Sequence, residues 1–242
     1  MKFCAIKSFA AAVCVVLLGF VAACGPSIQP QMKAATDALL AKPHETRTVA
    51  ASSALEPKPW KVGQWIMART LNDKQEPAVM KISIVGEEGG GLWIETEIQD
   101  FYQHNVSKVL YSRQPKNKDD AGEVVRKIVS KKDDEKVQVI DLTDDSPGVA
   151  LMKGMMKSML SGVYVSVTPG AVKENVTVPA GTFAGCAAIS ATAKFGPSST
   201  ETKSWFHPEA PINGVVKSIS AKGDWTYELL AYGTTGATSV LP

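Results

Sequence analysis

The chain has 242 residues, 26 Lys+Arg against 24 Asp+Glu, and 45% hydrophobic composition. Met1–Ala23 holds two of the lysines and no acid, so the remainder carries 24 charges of each sign. A neutral surface argues against nucleic acid, whose binding rests on neutralised phosphates, and against a polybasic headgroup site.

The first element is a leader. Lys2 and Lys7 form a basic n-region, Ala10 to Phe20 an apolar h-region, and Val21-Ala22-Ala23 place small residues ahead of Cys24-Gly25. A transmembrane helix, needing roughly 20 consecutive apolar residues, is one alternative, but this run is too short. A secretory signal cut at an A-x-A site is the other, weakened by Cys24 following Ala23 at once. Val21–Gly25 resembles the lipobox of bacterial lipoproteins. That resemblance implies diacylglycerol on the Cys24 sulfur, cleavage before it, and a further acyl chain such as palmitate on the new terminus. One such chain gives marginal membrane binding and three give permanent anchoring. Gly25, where inner-membrane lipoproteins have aspartate, implies the outer membrane facing the periplasm; the inner membrane and the cell surface stay open as alternatives. Cys4 and Cys14 then leave with residues 1–23 and Cys24 is acylated, so Cys186 remains alone and no intramolecular disulfide is expected. Cys186 sits among Ala184, Ala187, Ala188 and Ile189, which favours a packed small side chain over a reactive thiol.

Residues 24–59 are rich in Ala, Pro, Gln, Ser and Thr and are expected to be a tether. Gln31 to Ala41, between Pro30 and Pro43, predicts a short helix that either spans distance or docks on the domain. Residues 60–242 are expected to form one domain. Its dominant period is two: Met80, Ile82 and Ile84 alternate with Lys81 and Ser83, and Leu92, Ile94, Thr96 and Ile98 alternate with Trp93, Glu95, Glu97 and Gln99. Gly89-Gly90-Gly91 between them predicts a hairpin turn rather than a phosphate loop, since no Lys-Ser/Thr follows. Further strands are predicted at 106–111, 124–130, 137–142, 163–168, 171–178, 183–195, 201–207, 215–221 and 225–232, with the charged stretch 131–136 a solvated turn. About ten strands with short turns describe a large antiparallel sheet that must curl or close to hide its edges.

Ser146-Pro147 predicts an N-cap followed by proline at the first helical position, with Gly162 as the stop. Between them Met152, Met155, Met156 and Met159 fall on one helical face. Two readings stay open: the helix plugs the concave side of the sheet as ordinary core, or it lids a lipid-sized cavity with a flexible, polarisable surface.

Two motifs are distinctive: Val176-Thr177-Val178-Pro179-Ala180-Gly181-Thr182-Phe183, and Trp205-Phe206-His207-Pro208-Glu209-Ala210-Pro211-Ile212-Asn213-Gly214-Val215-Val216-Lys217. They resemble a pattern in exported bacterial proteins similar to the lipoprotein carriers LolA and LolB. The resemblance implies a mainly β fold: a curved, half-open antiparallel barrel whose apolar concave face is covered by one or two helices. Their physical reading is packing and turn geometry. Pro179-Ala180-Gly181 turns between two strands, Trp205 packs against the Phe183 face, and Lys217 stands at the cavity mouth or, with less demanded of it, on an exposed strand face.

Catalytic chemistry finds little support. His44, His104 and His207 are scattered, no His-x-x-x-His or Cys-x-x-Cys pair points to zinc, and no Gly-x-Ser-x-Gly elbow is present. Glu95 and Glu97 share a strand face, but their alternation with Ile94 and Ile98 predicts a solvated outer face. Asp144-Asp145 suits helix-dipole stabilisation better than calcium. The expectation is therefore a non-enzymatic, cofactor-free, metal-free lipoprotein. It would be membrane-bound through Cys24 and would hold a lipid or acylated partner; the alternative is a structural or interaction protein of the envelope with a filled core.

Overall fold

A computed structural model describes residues 27–54, 56, 58–115, 123–144, 146–160, 170–195 and 198–242. The elements in chain order are α1 (Pro30–Ala41), β1 (Arg47–Val49), β2 (Trp65–Leu71), β3 (Pro77–Glu88), β4 (Gly91–Gln99), β5 (His104–Tyr111), β6 (Val125–Lys132), β7 (Gln138–Asp141), α2 (Pro147–Leu160), β8 (Lys173–Val178), β9 (Gly181–Phe195), β10 (Ser198–Phe206), β11 (Val215–Ser220) and β12 (Thr226–Gly233). The strands form one 12-stranded sheet in the order β1-β9-β10-β11-β12-β2-β3-β4-β5-β6-β7, with β8 pairing β9. Pairings are antiparallel except β1 with β9, which is parallel. The two ends of this order do not pair, so the barrel stays open.

The expected mainly β, half-open architecture holds, with twelve strands among the described residues against an expected ten or so. β2 has no clean alternation because Trp65, Ile66, Met67 and Ala68 are all apolar. It is nonetheless a central strand, with Ile66 and Ala68 fully buried on one face. The 163–168 strand lies outside the described residues. Gly89 and Gly90 form the turn of the β3–β4 hairpin, and Ser146 caps α2 by accepting the Val149 N–H at 3.4 Å.

Part of the segment expected as tether is built into the fold. α1 docks where β4 ends: Gln29 N donates to Phe101 O at 2.9 Å and the buried Thr36 hydroxyl to Asp100 O at 2.9 Å. β1 then aligns Arg47, Thr48 and Val49 with Gly181, Thr182 and Phe183. Neither contact needs a run of large apolar residues. Backbone and hydroxyl hydrogen bonds do the joining, which is why composition suggested a free linker.

Alternation assigns the two faces. Ile66, Ile84, Ile94, Phe183, Val216, Leu229 and Tyr232 share the main apolar cluster. Side chains from β9 and β4, far apart in the strand order, meet only if the sheet curls, so this face is concave. The opposite, convex face carries the Arg69–Glu228 and Lys217–Glu228 ion pairs at 2.5 and 3.0 Å. Lys217 is thus a strand-face lysine paired to its cross-strand neighbour Glu228.

Candidate functional site

The two sequence motifs converge at one end of the concave face. The Pro179-Ala180-Gly181 turn crosses to β12, where Ala180 N donates to Leu229 O at 3.0 Å, and Arg47 N donates to Ala180 O at 3.0 Å. Gly181 has φ +134°, and a Cβ there would lie 1.9 Å from Arg47 O, so no larger residue lets β1 pass. Phe183, fully buried, meets His207 edge-on at 5.6 Å and Tyr232 at 5.8 Å between ring centroids. From the second motif Ala210, Ile212 and Val216 join the same cluster, with Trp205 packed beside it. Gly214 (φ +73°) lies against the Phe206 ring, where a Cβ would fall 1.9 Å from a ring carbon. Trp60 closes the edge by donating its indole N–H to Ile212 O at 3.0 Å. This end is a packed plug.

Beyond the plug the concave floor is different. Met80, Ile82, Ile98, Val109 and Ile128 point the same way as Ile84 and Ile94 by register, yet remain half-buried. The start of α2 sits at the far end of this floor, where Val149 packs with Val125 and Leu142 beside Val109, Tyr111, Ile128 and Ile140. α2 is therefore held to the concave side through its first turn. The side chains of Met152, Met155, Met156 and Met159, the expected lining or lid, lie outside the described residues, as does Cys24.

The groups with chemical potential are mostly engaged in structure. Cys186 is fully buried, and burial pushes its thiol up to about 11, which keeps it protonated and inert. Glu97 pairs with His104 at 2.9 Å on the convex face. Glu95, expected on a solvated face, is instead buried: its carboxylate accepts hydrogen bonds from Ser239 Oγ, Val240 N and Leu241 N at 2.6, 2.8 and 3.1 Å. Glu95 does lie on the outer face, opposite Lys108, but alternation within one strand carries no sign of a distant segment laid across it. Among the described residues no group of three or more His, Cys, Asp or Glu side chains could hold a metal, and no helix is long and apolar enough to cross a membrane.

His207 has a structural task. It is fully buried; its Nε2–H donates to Ala50 O at 3.1 Å and its Nδ1 accepts from Glu209 N at 3.2 Å. Burial lowers its pKa from the usual 6.5, so the folded chain holds it neutral. Below about pH 6.5 the unfolded chain binds a proton that the folded one refuses, and stability falls as pH drops. Urea unfolding at pH 7.5 and 5.5 is expected to show this loss. A His207→Gln variant should be less stable at both pH values but show a shallower slope between them; an unchanged slope removes His207 as the cause.

A cleft of about 200 Å³ at the plug's rim is lined by Lys42, His44, Arg47, Trp65, Met67 and Tyr232 among others. Arg47 stacks over the Tyr232 ring at 4.7 Å and pairs with Glu45 at 2.9 Å. It is smaller than the roughly 300–1,000 Å³ of ordinary ligand pockets, so the half-buried floor is the stronger candidate. No protein-family model matches the chain, and no curated protein matches it. The candidate site therefore stands on its own geometry: a closed plug, an apolar floor and a helix anchored at the floor's far edge.

Proposed function

We propose that the chain is a lipoprotein, anchored in the outer membrane through acyl chains on Cys24 and facing the periplasm. It is a LolA/LolB-like, non-enzymatic module that binds a lipid or an acylated protein terminus along its concave face. The observation that carries this reading is the row Met80, Ile82, Ile98, Val109 and Ile128, apolar and half-buried beside a fully packed plug. An acyl chain needs an elongated apolar surface rather than a polar constellation, and the first turn of α2 packs at the far edge of one. The lipobox Val21–Gly25 supports the anchoring half of the proposal. The plug itself favours the second reading, an envelope interaction protein with a filled core, for the end that it occupies.

Native mass spectrometry of a chain beginning at Gly25 separates the two. Copurification with lipid, or rebinding after stripping, is the expected result; a stripped protein that takes up nothing overturns the carrier reading. Replacing Met155 and Met156 together by tryptophan should block uptake with little change in stability if they border open space. In a packed core the same substitution costs roughly 1–3 kcal/mol through overpacking.

A further inference from the structure

The convex face carries a built pocket that the chain fills with its own last four described residues. Glu95 and Lys108 face each other on adjacent strands and both are buried, an arrangement that is costly unless their hydrogen bonds are met. The segment Ser239–Pro242 meets them. The Glu95 carboxylate accepts two successive backbone N–H groups, from Val240 and Leu241, and the Ser239 hydroxyl. Lys108 Nζ donates to Leu241 O at 3.4 Å and to Pro242 O at 2.6 Å, and lies 5.0 Å over the Trp93 ring. Between these polar anchors the Leu241 side chain enters an apolar cluster of Trp93, Val106, Leu110 and Val129. A carboxylate for N–H groups, an ammonium for carbonyls and a pocket for one leucine are the parts of a peptide receptor.

The strap reaches this pocket over a thin connection. Thr234, Thr235, Gly236 and Thr238 are exposed, and the stretch is tied down by Ala237 N to Gly63 O at 3.0 Å and Trp65 Nε1 to Thr235 O at 3.1 Å. Every copy of the chain carries both the pocket and the segment that fits it, and exchange of an identical element is a low-cost route to association.

We propose that the Glu95–Lys108–Trp93 pocket is a peptide-docking site. The chain's own Ser239–Pro242 strap fills it in an isolated molecule, and the same segment of a second copy fills it where molecules crowd. A short linker gives the cis strap an effective concentration of about millimolar, so exchange between copies sets in near that concentration.

The test uses the full chain with a protease site inserted between Gly236 and Ala237, cut after folding so that failure to fold plays no part. A labelled Ala-Thr-Ser-Val-Leu-Pro peptide should then displace the severed fragment saturably, with one peptide per molecule and a change in tryptophan fluorescence. The peptide with aspartate in place of leucine should bind at least about tenfold more weakly, since a charge enters an apolar pocket. Absence of saturable binding to the cut, folded protein overturns the docking site. In parallel, the uncut chain should sediment as a monomer at micromolar and form dimers near millimolar concentration, and Leu241→Asp should abolish those dimers. If the cut chain binds peptide but the intact chain stays monomeric at millimolar concentration, the second copy is overturned as occupant.

Discussion

Phe183→Ala is expected to destabilise the folded chain by about 3–5 kcal/mol, the usual cost of emptying a buried aromatic site. Phe183 is fully buried at the point where β1, β9, β12 and the turn after β10 meet, in contact with both His207 and Tyr232. Little nearby can collapse into the space. The Ala180 and Gly181 backbone is tied to Leu229 and Arg47 by hydrogen bonds, so the walls of the void are held apart. Native stability of a domain is about 5–15 kcal/mol, so the variant should be marginal at best. Chemical unfolding of variant and parent, followed by tryptophan fluorescence, measures the difference. A loss under about 1 kcal/mol would mean that the plug repacks freely and is not the core of the fold.

Cys24→Ala is expected to move the protein from the membrane to the soluble periplasmic fraction. This expectation rests on the proposed lipoprotein processing of Val21–Gly25. Each buried methylene contributes about 0.8 kcal/mol, so the loss of three acyl chains changes membrane partition by many orders of magnitude. Among the described residues no helix is long and apolar enough to span a bilayer. Fractionation with an alkaline wash, together with intact-mass measurement of the parent, checks both location and acylation. A variant that stays in the washed membrane pellet, or a parent without acyl mass, overturns lipid attachment at Cys24.

Much of the fold was legible because it rests on period two. β3 and β4 were readable residue by residue, since Met80, Ile82 and Ile84 face Ile98, Thr96 and Ile94 across the hairpin, polar residues between them. β2 was not, because four apolar residues in succession erase the alternation although only Ile66 and Ala68 face the core. β1 was not either: three residues, Arg-Thr-Val, pair through backbone groups that any sequence supplies. In the candidate site the Ser146 cap and the start of α2 could be read in advance, while the half-buried floor could not. Alternation says which residues face inward but is silent on what covers them.

The sequence by itself determined the strand-rich architecture, the N-cap of α2 and the inert placement of Cys186. These follow from local rules of periodicity and capping, which act over a few residues. Only the tertiary structure decided that the two motifs form one plug, that the 27–54 segment is partly folded onto the domain, and that Glu95 lies buried beneath Ser239–Pro242. Each of these joins residues distant in the chain, such as the 144 positions between Glu95 and Ser239. Which distant groups meet depends on how the whole sheet curls, a property that no local window of sequence contains.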